Sequence, residues 1–252
     1  MSIPAVPALP SAPAMSAKQV QVEIAIVLAI TFGMSGLRSL LRLIDDLLSP
    51  VALNEQTVAL NSSMADSTWL DLALQLCSAG VLFGWGALAI YLLSQPFKMA
   101  QLRDVGWGAG LAALIGIPGL IFYVTAVHLG LSKEVVPTTL SSWWEIPVLL
   151  LWSAANAFGE EIVVVLWLST RLRQLHWGTV EIIAASAVLR GSYHLYQGVS
   201  AGFGNIIMGI VFAYFYYRTE KIWPLVIAHF LIDAVAFVGY SAIGGNLSWL
   251  GL

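Results

Sequence analysis

Charged residues are scarce in this sequence. Asp, Glu, Lys and Arg make up 10% of the 252 residues, whereas hydrophobic residues make up 59%. With a mean hydropathy of +0.84, this composition excludes an ordinary soluble domain, which does not need so much apolar surface. The net charge of -3 is small and no basic cluster is present, so nothing in the sequence indicates a nucleic-acid partner.

Three further features are missing. The single cysteine, Cys77, excludes an internal disulfide, and its apolar neighbours predict that it packs as a small hydrophobic residue. The apolar runs do not alternate with polar residues, which excludes the strands of a membrane β-barrel. Residues 1–16 lack the basic start and apolar core of a signal peptide, and their Pro, Ala and Ser content predicts a disordered tail.

Long apolar runs are what the sequence has instead. They approach the ~20 residues that a helix needs to cross a bilayer, which predicts an all-α polytopic transmembrane helical bundle with about seven spans. The predicted spans are 20–42, 68–94, 105–129, 143–170, 179–198, 202–217 and 222–243. We expect residues 17–142 to form N-terminal transmembrane helices and residues 143–243 a four-helix catalytic core. Residues 244–252 are the predicted C-terminal tail.

The basic residues orient the predicted bundle. With a cytoplasmic N-terminus, Lys133 alone lies on the outer side, and the inner side receives Lys18, Lys98, Arg103, Arg171, Arg173, Arg218 and Lys221. Because cytoplasmic loops carry an excess of Lys and Arg, this asymmetry predicts an integral membrane protein with its N-terminus inside. The compactness of the chain favours the bacterial plasma membrane. Segment 44–67 is then an outer loop.

Two adjacent carboxylates, Glu160 and Glu161, stand inside the fourth apolar span. Each costs about 2.5–3.5 kcal/mol at membrane depth on insertion scales, which favours a functional use. Neighbouring residues of an α-helix point about 100° apart, so we expect one carboxylate to face a catalytic cavity and the other to bind a cation on a neighbouring helix. The alternative is a purely structural buried ion pair, or a helix end closer to the surface.

Two later spans each carry a histidine and a charged residue at i and i+4. Arg190 and His194 are predicted to share one face of the fifth span, and His229 and Asp233 one face of the seventh. We expect Arg190 to pair with a glutamate and Asp233 to orient the His229 imidazole. The rise of a helix places the carboxylates and both histidines in the inner half to the middle of the bilayer. The alternative is structural: Arg190 only neutralises the glutamates, His194 hydrogen-bonds a backbone carbonyl, and His229 and Asp233 form a hydrogen-bonded pair near the inner surface.

Asn156 precedes Glu160 by four residues, so we expect its amide either to orient that carboxylate or to join neighbouring helices. The residues needed to activate water for hydrolysis are then Glu160, His194, His229 and Asp233.

In this order, Glu160-Glu161, His194 and His229-x-x-x-Asp233 resemble the CPBP family. That family comprises CAAX prenyl endopeptidases of the Rce1 type and bacteriocin-processing or self-immunity (Abi) membrane proteins. The resemblance covers residues 143–243. Val165 stands where the family's first motif has arginine, and Arg190 stands where its second motif has phenylalanine. We therefore expect Arg190 to replace the missing cation, to bind Glu161 bidentately and to leave Glu160 free.

The resemblance implies an intramembrane endopeptidase of the glutamate or metallo type. Glu160 is then the general base and His194 positions the water, while His229 stabilises the oxyanion with Asp233 beside it. If a metal is used, the same four residues are its candidate ligands and zinc is the candidate ion. Glu161, Arg190 and Asn156 are supporting residues. The implied substrate is a membrane-associated or lipidated protein or peptide.

Two other functions are compatible with the same residues. Intramembrane Glu, His and Arg also occur in transporters and proton relays, although the sequence contains no inverted repeat. A non-catalytic family member could act in bacteriocin self-immunity or bind a membrane partner.

Overall fold

The computed structural model describes residues 15–59, 61–94, 96–136 and 143–239. Most of the predicted N-terminal tail and the whole of the predicted tail 244–252 lie outside these residues. Within them, the helices are α1 (Ala17–Ile30), α2 (Phe32–Leu48), α3 (Thr68–Leu93), α4 (Leu102–His128), α5 (Glu145–Glu160), α6 (Leu168–Gln174), α7 (Thr179–Ser192), α8 (Val199–Thr219) and α9 (Trp223–Ala234).

The helical fold class is confirmed. Backbone hydrogen bonds have no water to replace them in a bilayer, so apolar runs of this length fold as helices. Two π-helical segments, Glu161–Trp167 and Val235–Gly239, continue α5 and α9. A short parallel pair of strands, β1 (Thr57–Ala59) and β2 (Glu134–Val136), joins two of the connecting segments and was not predicted.

Among the described residues, fewer helices are long enough to span a bilayer than the seven predicted. Length and apolarity qualify four of them, which are α3, α4, the continuous helix 145–174 and α8, or five if the bent pair α1–α2 counts as one span. α7 has 14 residues, or about 21 Å at the helical rise, which is less than a bilayer core. α7 is followed by a turn at residues 193–198. The predicted fifth span, 179–198, includes these residues.

The continuous helix 145–174 is the centre of the molecule. Its most apolar stretch of 18 residues is 67% buried, whereas the corresponding stretch of α4 is 17% buried. Ile162, Trp167 and Leu225 are among the buried residues of the single core cluster that surrounds it. α3 packs on α5, and α9 packs on both α4 and α5, so helices from both halves of the chain enclose the middle of the central helix. The division at residue 143 stays a prediction.

A buried ion pair ties the N-terminal helix to the central one. Glu23 on α1 accepts hydrogen bonds from Arg171 Nε at 2.7 Å and from the Trp167 indole at 2.9 Å. Arg171 also donates to the Leu92 carbonyl at the end of α3. Arg171 was predicted to lie in an inner loop, but it is 3% exposed because Glu23 supplies a buried partner for its charge.

Candidate active site

Both glutamates contact the same guanidinium. Glu160 ends α5 and Glu161 begins the π-helical segment, and both side chains are buried. Arg190 on α7 places one terminal nitrogen 2.6 Å from Glu161 Oε1 and the other 3.3 Å from Glu160 Oε2. π-helical turns inside α-helices alter the local direction of side chains and occur often at functional sites.

The expectation that the two carboxylates serve separate partners is therefore wrong. A planar guanidinium offers several N–H groups in a fixed fork, so one arginine can bind carboxylates from adjacent positions. Arg190 is fully buried, with its guanidinium 5.5 Å from the centre of the Phe212 ring. It binds one oxygen of each glutamate instead of binding Glu161 bidentately, and Glu160 is consequently not free of it.

Tyr193 is a member of the site that the sequence interpretation missed. Its hydroxyl donates to Glu160 Oε2 at 2.7 Å, which is shorter than the contact from Arg190. Tyr193 lies directly after α7, immediately before His194. A phenol beside a motif histidine was the available signal, but only the turn that ends α7 brings it to the carboxylate.

One oxygen of Glu160 remains accessible to a small reactant. Every contact that this carboxylate makes with the described residues goes through Oε2, from Tyr193, Arg190 and, at 4.0 Å, His229 Nε2. Oε1 has no hydrogen-bond partner among these residues. A carboxylate fixed at one oxygen and open at the other has the geometry that proton abstraction from water requires.

Glu161, and not Asp233, holds the His229 imidazole. Nδ1 of His229 lies 2.7 Å from Glu161 Oε1. Its Nε2 is 3.6 Å from Asp233 Oδ1, which is longer than a hydrogen bond. The i, i+4 spacing does bring Asp233 close, but Asp233 accepts a hydrogen bond from Asn156 Nδ2 at 3.3 Å. This arrangement corrects the expectation that Asp233 orients His229. Of the two alternatives for Asn156, the structure shows the one in which its amide joins neighbouring helices, here α5 and α9.

His194 follows the end of α7 and does not lie on its helical face. Its Nδ1 is 3.0 Å from the Arg190 carbonyl oxygen, which can only accept, so Nδ1 carries the proton. Nε2 of the neutral ring is then an acceptor. The described residues show no direct hydrogen bond or ion pair between His194 and Glu160. The hydrogen bond from His194 to the Arg190 carbonyl is the contact that the structural alternative predicts. It leaves Nε2 of His194 available to a reactant.

A largely apolar cavity adjoins this polar network. It has a volume of about 360 Å³ and lies among α2, α3, α5 and the turn after α7. The residues that line it are Phe32, Ser35, Ser78, Val81, Leu82, Trp85, Trp152, Asn156 and Tyr193. Asn156 and Tyr193 belong both to this lining and to the polar network, so the cavity and the carboxylates share a wall.

The candidate metal ligands do not fit a zinc site in this arrangement. No three His, Cys, Asp or Glu side chains of the described residues are grouped so that they could hold a metal ion. At Glu160 and Glu161 the positive charge comes from Arg190, and the Nδ1 atoms of His229 and His194 already have partners.

The comparison with protein families agrees with the sequence motifs. Residues 141–235 match a family model described as Type II CAAX prenyl endopeptidase Rce1-like. The matched segment is well under half of the chain, but it contains every residue of the polar network around Glu160 and Glu161. No curated protein and no solved structure matches the chain.

Proposed function

From the premise that residues 141–235 belong to the Rce1-like family of CAAX-type membrane endopeptidases, we propose that this protein is an intramembrane endopeptidase. It hydrolyses a peptide bond of a membrane-associated or lipidated protein or peptide. The observation that carries the proposal is the state of Glu160. Its carboxylate is buried, fixed at Oε2 by Tyr193 and Arg190, and open at Oε1, and Tyr193 also lines an apolar cavity.

Glu160 is the general base of the proposed reaction. Oε1 takes a proton from a water molecule, whose oxygen attacks the carbonyl carbon of the scissile peptide bond. The tetrahedral intermediate then collapses, the C–N bond breaks, and Glu160 returns the proton to the departing amine. One water molecule is consumed, and the products are a carboxylic acid and an amine. The contacts at Oε2 keep the carboxylate in one orientation through both transfers.

The two histidines act on the water and on the oxyanion. The free Nε2 of His194 accepts a hydrogen bond from the attacking water, and its backbone hydrogen bond fixes the ring. His229 is held through Nδ1 by Glu161, so its Nε2 is aimed at the side where Glu160 and Asp233 lie. In its protonated form this nitrogen donates to the developing oxyanion.

The remaining residues keep this arrangement in place. Arg190 offsets the charge of the two glutamates, and Glu161 in turn orients His229. Asn156 holds Asp233, which lies 3.6 Å from His229 Nε2 and supports the charge of a protonated imidazole there. Buried charges without such partners would be strongly unfavourable, so these contacts are conditions for a functional base.

The cavity supports an apolar substrate. Its lining includes the rings of Phe32, Trp85 and Trp152, which suit an alkyl or isoprenoid chain or large apolar side chains. The Trp152 indole N–H is buried and has no partner among the described residues, so it is available to a carbonyl oxygen of the substrate. Asn156 and Tyr193 line the cavity, and the Tyr193 hydroxyl binds Glu160. A substrate whose apolar part fills the cavity therefore places its polar part near the Glu160 carboxylate.

Substitution of Glu160 tests the proposal. Glu160→Gln keeps the side-chain volume and removes the base, so we expect cleavage to fall by a factor of about 10² to 10⁴. Membrane peptides of cells that express wild type, Glu160→Gln or the exposed control Glu181→Gln are compared by mass spectrometry for new termini. The purified proteins are also assayed with an internally quenched farnesylated CAAX peptide.

We expect new termini with wild type and Glu181→Gln only, together with a folded Glu160→Gln protein that unfolds in one cooperative thermal transition. Cleavage by Glu160→Gln at the wild-type rate would overturn the mechanism. If wild type and Glu160→Gln give identical peptide sets, the non-catalytic alternative is favoured.

A further inference from the structure

We propose that Tyr193 is a positioning residue that couples the wall of the apolar cavity to the Glu160 base. This inference rests on the proposed function, because it assigns Tyr193 a part in the same hydrolysis. Tyr193 contacts the base and not the water, and its effect on the reaction passes through Glu160.

The hydroxyl of Tyr193 determines which oxygen of Glu160 is available. It is 2.7 Å from Oε2, closer than the Arg190 nitrogen at 3.3 Å. A phenol has one proton to donate, and here that proton is committed to the carboxylate. Hydrogen bonds to ionised acceptors are shorter and stronger than neutral ones, so this contact fixes the rotation of the Glu160 carboxylate and leaves Oε1 exposed to water.

The ring of Tyr193 belongs to the cavity wall. It packs on Phe32 with ring centres 4.9 Å apart, and Phe32 packs edge-on against Trp85 at 5.2 Å. On its other side it contacts the His194 ring at 4.7 Å. Three of the four aromatic residues of the cavity lining, Trp85, Phe32 and Tyr193, therefore form one chain of ring contacts that ends at the hydroxyl bound to Glu160. A group that fills the cavity limits the movement of these rings. Because Tyr193 is hydrogen-bonded to Glu160, the same group also limits the movement of the Glu160 carboxylate.

This arrangement predicts an effect on turnover and not on binding. Tyr193→Phe keeps the ring, so the cavity wall is unchanged and KM stays within about twofold. Loss of a hydrogen bond to a charged group lowers kcat by about tenfold to a hundredfold. Tyr216→Phe is the matched control, because Tyr216 has the same 7% exposure and lies on α8 against Arg173. The control keeps wild-type kcat and KM on the farnesylated CAAX peptide.

The coupling to the cavity wall has its own test. Phe32→Leu leaves the hydroxyl of Tyr193 in place but removes the ring against which it packs, so kcat falls by part of the Tyr193→Phe effect. In the Tyr193→Phe background, the same Phe32→Leu change lowers kcat no further, because the contact that it disturbs is already absent. Independent, multiplicative effects of the two changes would overturn the coupling.

A spectroscopic measurement keeps this inference separate from the proposed function. The infrared difference between wild type and Glu160→Gln isolates the carboxylate stretch of Glu160, and we expect this band at a different frequency in Tyr193→Phe and unchanged in Tyr216→Phe. An unmoved band in Tyr193→Phe, or an unchanged kcat, refutes the role of Tyr193. An active Glu160→Gln protein refutes the proposed function instead, and the band position then still decides whether Tyr193 holds the carboxylate.

Discussion

At the scale of single residues, the charge balance of the site depends on Arg190. Three carboxylates, those of Glu160, Glu161 and Asp233, lie around one guanidinium and the His229 imidazole. Arg190 is fully buried and directly contacts two of the three. Removal of one partner from a buried ion pair leaves an uncompensated charge, which costs more than the pair itself contributes. Arg190 is thus the residue on which both glutamates depend.

The first prediction concerns the position of this cation. Arg190→Phe should lower the free energy of unfolding by about 3–5 kcal/mol, since it leaves two buried carboxylates without their cation. Val165 is fully buried in the π-helical segment four residues after Glu161, at the position where the family motif has arginine. Addition of Val165→Arg should recover much of the loss by placing a guanidinium beside the same carboxylates.

Thermal unfolding in detergent measures this cycle, and the two changes should be strongly non-additive. Arg173→Phe is the control, because Arg173 is only partly buried and its guanidinium lies near the rings of Tyr216 and Tyr217. We expect the control to cost about 1 kcal/mol or less. Independent effects of the two site changes would show that a guanidinium at 165 does not reach the glutamates.

At the scale of helices, the position of Glu160 depends on close contact between α5 and α3. A Cβ atom at Gly159 would lie 2.9 Å from the Leu82 carbonyl oxygen on α3. Backbone atoms cannot move aside as a flexible side chain can, so only glycine permits this separation of the two helices. The π-helical segment begins two residues later, and the direction of both carboxylates follows from where α5 ends.

The second prediction is that Gly159→Ala separates α3 from α5 and displaces the adjacent Glu160. We expect a loss of about 1–3 kcal/mol in the free energy of unfolding, as for other overpacked sites, together with a lower kcat. Gly84→Ala on α3 is the control, because a Cβ there meets nothing within 4 Å. Alanine is the better helix former by about 0.8–1.0 kcal/mol, so the control should be stabilising or neutral. Equal behaviour of the two variants would contradict the close-contact argument.

At the scale of the whole molecule, the segments that connect the helices form two groups, one at each end of the bundle, and contacts hold each group together. At one end, Lys133 pairs with Asp46 at 2.6 Å and β1 pairs with β2. At the other, Lys221 pairs with Asp104 at 3.0 Å, and Trp223 donates to the Lys98 carbonyl. The turn that carries His194 contacts the first end, since the Lys133 amide donates to Gln197. We propose that the Lys133 end faces outward.

The third prediction tests this orientation by cysteine labelling. In a Cys77→Ala background, Glu55→Cys should react with a membrane-impermeant maleimide in intact cells, because Glu55 is exposed at the Lys133 end. Arg218→Cys, which is exposed at the other end, should react only after permeabilisation. Cys77 has to be removed first, because it is exposed on α3 and not packed inside as predicted. The reverse labelling pattern would invert the topology and the leaflet assignment.

The sequence alone determined the membrane-helical class and most of the residues of the site. Both depend on local properties, because runs of apolar residues must fold as helices in lipid, and charges within such runs are costly enough to be noticed individually. The order of the three motifs then indicated a resemblance to a family whose model matches residues 141–235. The number of spans was less predictable, because hydropathy does not show where α7 ends.

Only the tertiary structure decided how the site residues pair. Arg190 binds both glutamates, Glu161 takes the histidine that was assigned to Asp233, and Tyr193 reaches Glu160. Each of these contacts joins segments that are far apart in the sequence, and each has one partner at the junction of α5 with the π-helical segment. Spacing along one helix predicts which face of that helix a side chain occupies. Whether two side chains form a hydrogen bond depends on the distance between their helices to within tenths of an ångström, and the packing of the common core sets that distance.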